Sequence, residues 1–204
     1  MSIDTHCKAD FITARHLASE LLLKQSLDSL FIDVSSFNFD IPVIIDSVQN
    51  FSSIVEKPLE NFTSNYFDDV FVLNDSKTNR NFILYNEKVT NLARRNWGIA
   101  HELGHLYLEH ETDGRIQEQE ANVFASQLIV PEIALYYIAL YKGSITTHDL
   151  TNYFNISNEC AKYRLKSFFK RFEYIDKDDI NNIYLYEKLM PFIEDLFLNN
   201  KKYS

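Results

Sequence analysis

Cysteine, glycine and proline are all scarce in this chain, and each scarcity excludes something. Cys7 and Cys160 are the only cysteines in 204 residues. They are too few and too far apart for a disulfide framework or a thiolate metal knuckle, and are expected as free, buried thiols. Four glycines and four prolines rule out a collagen-like or low-complexity chain. No apolar run approaches the roughly 18 residues that a membrane-spanning helix needs. The first ten residues lack the basic-then-apolar order of an export signal, so a cytoplasmic location without membrane association is expected. Positive charge is in deficit as well. Lys and Arg total 20 against 29 Asp and Glu, for a net charge of -9, which makes non-specific binding to DNA unfavourable. What the chain does have is 46% hydrophobic residues, enough for a sizeable core in one domain or one domain with a small appendage.

The most informative segment is His101-Glu102-Leu103-Gly104-His105. On a helix, His101 and His105 lie one turn apart on one face, a spacing at which two imidazoles can hold one metal ion. Glu102 follows the first histidine and can reach a water on the open side of that ion as a general base. A motif this short also arises by chance, so its surroundings decide. Leu92, Ile99, Leu103, Leu106 and Tyr107 recur at spacings that suit a buried helix. Gly98 and Gly104 each weaken a helix interior by about 1 kcal/mol relative to Ala. Either they permit close packing beside a metal ligand or they relieve ordinary helix–helix crowding.

A catalytic zinc needs a third protein ligand. Candidates downstream are His110, Glu111, Asp113, Glu118 and Glu120. The H-E-x-x-H-x-x-G-x-x-H extension fails, because Leu108 and Glu111 occupy its Gly and His positions. His110, five residues beyond His105, is expected as a solvated or capping residue at the helix end. Residues 115–131 read as a second helix, with Gly114 before it, Pro131 at its end and Ala121, Phe124, Ala125 and Leu128 on its apolar stripe. Glu118 and Asn122 flank that stripe. Glu118 could ligate the metal while Asn122 bonds a ligand imidazole. Glu120 is the alternative ligand, and both glutamates could instead simply complement the helix dipole.

The pairing of Ala100-His-Glu-Leu-Gly-His105 with Glu118-Gln-Glu-Ala-Asn-Val-Phe-Ala-Ser-Gln-Leu-Ile-Val-Pro131 resembles the ImmA/IrrE metallopeptidases. Arg94 or Arg95 fits the arginine that precedes the first motif in that family. Ile129 and Val130 replace its usual Leu and Met. The resemblance is tight over residues 94–131 and looser back to about residue 30. It implies an α+β fold: a compact thermolysin-like zinc peptidase domain with a small antiparallel sheet, followed by a helical C-terminal region. It also implies His101, His105 and Glu118 as zinc ligands, Glu102 as the base, and a helix-turn-helix repressor encoded nearby as the protein partner.

The peptidase domain is assigned to residues 1–142 and the helical region to 143–204. Helices are expected over 8–24 and 26–37, and a strand over 41–46. Val70–Leu73 and Asn81–Tyr85 are expected to form a hairpin around a turn-rich loop. By resemblance, Phe82 to Asn86 is the candidate strand for pairing with extended substrate; an ordinary core strand is the alternative. Thr147 to Arg171 has a helix-turn-helix pattern, with Asn155, Ile156 and Ser157 as the turn. Lys162, Arg164, Lys166, Lys170 and Arg171 make its second helix basic, either for docking DNA or a partner or as a solvated face. Residues 178–198 form an acidic amphipathic helix that Pro191 could kink.

These features lead to the expectation of a zinc endopeptidase that regulates transcription by cutting a repressor. Tyr136, Tyr137 and His148 are the candidate donors to the oxyanion. The competing expectation is a non-catalytic regulator that binds DNA or a partner protein, as in toxin–antitoxin pairs.

Overall fold

A computed structural model describes residues 8–62, 69–75, 77–112 and 114–198. Cys7 and Asp113 lie outside the described residues. Among the described residues eight α-helices and three strands follow one another as α1 (Phe11–Leu23), β1 (Val43–Ser47), α2 (Val48–Ile54), β2 (Val70–Asp75), β3 (Arg80–Tyr85), α3 (Leu92–Tyr107), α4 (Arg115–Ile129), α5 (Glu132–Lys142), α6 (Thr147–Phe154), α7 (Asn158–Arg171) and α8 (Ile180–Leu198). The fold is α+β with a helical C-terminal region, as expected. No single helix among the described residues is long and apolar enough to cross a membrane.

The sheet is small and mixed. β3 is its central strand, antiparallel to β2 and parallel to β1. The β2–β3 hairpin matches expectation, but the wholly antiparallel sheet does not, because β1 enters alongside β3 in the same direction. The expected helix over 26–37 is also corrected. Apart from a single 3-10 turn at Val34–Ser36, the segment is irregular, and it is pinned to α3 by Asn96. That side chain is buried, accepts from the Val34 amide at 2.9 Å and donates to the Ile32 carbonyl at 2.7 Å. Side-chain bonds of this kind satisfy a buried loop that has no ladder of its own.

One hydrophobic core runs from Ala14 and Leu22 of α1 through Leu103, Phe124 and Leu128 to Phe168, Leu189 and Ile193. Its helical elements are joined where α4 stops. Pro131 has no N–H to continue the helix, and α5 leaves at 50° to α4. Val130, at the end of α4, has left helical backbone angles at φ -134° and ψ 79°, so its carbonyl lacks an intrahelical donor. Buried Arg164 of α7 supplies one, donating from Nε at 2.9 Å and from Nη2 at 2.5 Å. The same guanidinium reaches Gln127 Oε1 at 3.1 Å, and Gln127 in turn donates to Ser19 of α1 at 3.0 Å. Burial pushes the Arg164 pKa down to about 10, while Glu132 opposes the shift. Arg171 turns inward too and donates to Glu132 at 3.1 Å. Of the five basic residues on α7, only Lys162, Lys166 and Lys170 are exposed.

The helix-turn-helix pattern is found. Asn155 takes the left-handed conformation at φ 48°, and Ser157 caps α7 by accepting from the Cys160 amide. α6 begins with a full capping box between Thr146 and Asp149. Lys142 also pairs with Asp149. Burial works against ionisation of Asp149, but these bonds outweigh it and hold its carboxyl below the usual range. Pro191 lies within α8, which continues through it.

Candidate metal centre

α3 carries both histidines, and two of the four glycines decide what can lie against it. A Cβ on Gly98 would sit 2.6 Å from Val70 Cγ2, so β2 approaches over bare backbone. A Cβ on Gly104 would sit 3.0 Å from Ala121 Cα and 3.1 Å from its carbonyl oxygen, so α4 does the same further along the helix. Both glycines therefore serve close approach, and each draws a site-bearing element inward.

That approach brings His101, His105 and Glu118 together. Their candidate ligand atoms all lie within 4.8 Å of one another. His101 Nε2 and His105 Nε2 are 3.1 Å apart. Glu118 Oε2 lies 3.4 Å from the first and Oε1 lies 3.3 Å from the second. Donor atoms around a tetrahedral zinc, with bonds of about 2.05 Å, are separated by about 3.3 Å. Each separation is close to that edge length, with Glu118 meeting the two histidines through different carboxylate oxygens, and two imidazoles with one carboxylate are a donor set that could hold a metal ion. The histidines are largely buried, whereas the Glu118 side chain is 44% exposed and opens the cluster to solvent.

The cleft over the cluster has a volume of about 710 Å³ and is lined by Asp69–Val72, Arg94, Trp97, Glu102 and Asn122 among others. The strand at its edge is the start of β2. The expectation that Phe82 to Asn86 would serve this purpose is corrected, because β3 is already paired on both sides. Arg94 pairs with Asp69 at the rim, while Arg95 stacks over Tyr85 with its guanidinium 4.7 Å from the ring centre.

Glu120 takes a different role from Glu118. Its Oε2 receives His110 Nε2 at 3.0 Å, and its Oε1 receives the Asp10 amide at 2.5 Å. His110 Nδ1 lies 3.1 Å from His105 Nδ1. Proton placement follows from the end of the chain, because a carboxylate can only accept. With a neutral His110, its proton sits on Nε2 and its Nδ1 must accept. The His105 proton then sits on Nδ1, leaving the His105 Nε2 lone pair directed at the cluster. Glu120 and His110 thus select the ligating tautomer of His105, a role that carboxylates commonly play behind metal-bound histidines.

The expectation of a solvated His110 is therefore corrected, since its side chain is only 7% exposed. The cause is how α3 ends. Glu109 adopts φ 53°, the Glu109 amide bonds the Leu106 carbonyl, and the His110 amide bonds the His105 carbonyl at 3.0 Å. This Schellman turn curls His110 back under His105 instead of carrying it along the helix axis. Glu109 occupies the position where Gly is usual, so the sequence held no signal for the turn. Two further expectations are corrected. Asn122 donates to the Glu118 backbone carbonyl at 2.7 Å rather than to an imidazole, a local bond between residues four apart. None of Tyr136, Tyr137 and His148 lines the cleft. Tyr136 stacks on Phe172, Tyr137 packs at a tilt against Tyr186, and His148 pairs with Asn152.

The IrrE N-terminal-like domain, a peptidase family, matches residues 53–166, more than half of the chain. No curated protein matches it. The matched stretch runs from within α2 into α7 and holds both motif helices together with β2, the elements whose contacts build the cluster. Membership of such a family implies a metal, and the donor atoms of His101, His105 and Glu118 are spaced to take one. On the motif, the geometry and the family match together, the chain belongs to the ImmA/IrrE family of metallopeptidases.

Proposed function

We propose that the protein is a zinc-dependent endopeptidase that acts on a helix-turn-helix repressor in the cytoplasm and so changes transcription. The observation that carries the catalytic part is the three-donor cluster at the floor of an open cleft, with Glu102 beside it and an edge strand along it. His101 and His105 would hold zinc through Nε2, and Glu118 through its carboxylate. When bound, zinc supplies Lewis acidity that polarises the scissile carbonyl and brings the pKa of water towards about 7.

The remaining work falls to the chain itself. Glu102 takes a proton from the attacking water and delivers it to the leaving amine nitrogen, so one water is consumed for each peptide bond broken. Among the described residues β2 is paired only with β3, and its other edge can bond an extended polypeptide through main-chain groups. That mode of binding is tolerant of side chains and suits a protein substrate. The repressor as substrate is supported by the family resemblance.

The test is Glu102→Gln, assayed by intact-mass analysis after incubation with the repressor encoded nearby. The variant should keep its zinc and lose cleavage by about 10²–10⁴-fold. Undiminished cleavage would sink the mechanism. Glu118→Ala should abolish zinc retention.

A further inference from the structure

A second cavity adjoins the metal cleft. Trp97 and Asn122 line both, so the two spaces share a wall. The second has a volume of about 580 Å³ and is walled by α1, α4 and α7. Its charge runs opposite to that of the cleft. The cleft sets Arg94 against Asp69, Glu102 and Glu118. The cavity sets Arg15, Arg164 and Arg171 against Glu132 and an exposed Glu159, in a chain whose net charge is -9.

These cations are unequally engaged. Arg164 is fully committed to the Val130 carbonyl, Gln127 and Glu132. Arg171 shares the same Glu132 carboxylate. Arg15 forms no ion pair among the described residues; burial and the nearby charge of Arg171 lower its pKa, and the weaker pull of Glu132 and Asp10 does not offset them. Two guanidiniums thus compete for one carboxylate that Arg164 already neutralises. A second carboxylate would relieve that repulsion. Along the rest of the cavity, Trp97, Val123 and Tyr163 offer apolar surface, which suits the methylene stem of a side chain rather than a bare ion.

We propose that this cavity is a specificity pocket that receives an acidic side chain of the bound polypeptide, its carboxylate held by Arg15 and Arg171 and its stem lying against Trp97. The choice of a polypeptide as ligand rests on the peptidase reading above. The pocket also gives α7 a role in the reaction, since it supplies Tyr163, Arg164 and Arg171 as one wall of a subsite.

Trp97 is the only tryptophan in the chain, so its fluorescence reports on this wall. The experiment titrates metal-stripped protein, in which no metal can capture a carboxylate, with acetyl-leucyl-glutamyl-leucine amide and with its glutamine isostere. The expected result is a saturable change at roughly tenfold lower concentration of the glutamyl peptide, the scale of one charge-assisted contact. Arg15→Gln should abolish the preference and Arg15→Lys should keep part of it. Equal responses to the two peptides, or a preference that survives in Arg15→Gln, would overturn the proposal. So would succinate matching the glutamyl peptide, since the pocket would then take a free dianion. None of these readouts involves cleavage. A carboxylate preference in a protein whose zinc-loaded form cuts nothing would therefore remove the peptidase reading and leave the peptide pocket standing.

Discussion

Two polar clusters lie a short distance apart in this molecule, and they are built on different logic. Around Arg164 itself each buried donor and acceptor is answered from within the chain, and Arg15 at the edge of the cluster is left without an ion pair among the described residues. A carbonyl left over at the end of α4 meets a guanidinium, and Glu132 meets two. Around His101, His105 and Glu118 the three donor atoms converge on one another instead, and one side is exposed. The first cluster ties α1, α4, α5 and α7 together. The second has the geometry of a site made for something that is not protein. Burial of polar groups alone does not separate the two. What separates them is whether the donors and acceptors balance.

That contrast can be broken at four points. The largest effect is expected at the closed cluster. Arg164→Ala would leave Glu132 buried with one cation fewer and the Val130 carbonyl without its donor, and should cost about 3–5 kcal/mol in urea denaturation of the metal-free protein. Variant protein that remains folded should bind zinc with unchanged stoichiometry. Next comes the relay behind the open cluster. Glu120→Ala should weaken zinc affinity by about 10–100-fold, measured by competition with a chromophoric chelator. Glu120→Gln can still accept from His110 and should keep most of the affinity. Equal losses in the two variants would show that the charge of Glu120 matters rather than its hydrogen bond.

Gly104→Ala probes how the open cluster is assembled. Overpacking against Ala121 should cost about 1–3 kcal/mol, partly offset by about 1 kcal/mol of helix propensity, and zinc affinity should fall because Glu118 is displaced along with α4. The smallest effect is expected far from both clusters. Asp149→Asn removes the capping acceptor of α6 and the partner of Lys142, and should cost about 1 kcal/mol at neutral pH. The folded pKa of Asp149 lies below its unfolded value. Its contribution is therefore complete above the ordinary carboxylate range and disappears as pH falls through the folded pKa. The gap between wild type and variant should close in acid.

The sequence made the local parts of the site legible and left the non-local parts hidden. The pairing of His101 with His105 follows from helical spacing alone, whereas Glu118 and Glu120 are alternatives in the sequence and are told apart only by how α4 packs against α3. The two glycines flagged the close approaches before any partner was known. Which strand borders the cleft was not readable, because that depends on β1 adding to β3 from a distance in the chain. His110 was misplaced for a different reason: its position depends on a left-handed residue, and Glu109 gives no warning of one. Asn122 chose the nearest carbonyl over a more distant ring, as short amides in helices often do.

The Asp10 amide bonded to Glu120 spans 110 residues of sequence. It joins the start of α1 to the carboxylate that selects the tautomer of His105. By thermodynamic linkage, whatever improves metal retention when α1 is docked must hold α1 down when metal is retained. Loading the site should therefore slow hydrogen exchange at the Asp10 amide and along the first turn of α1, even though no residue there approaches the cluster. The end of α1 would act as a clasp whose opening rate reports on the occupancy of a centre it never touches.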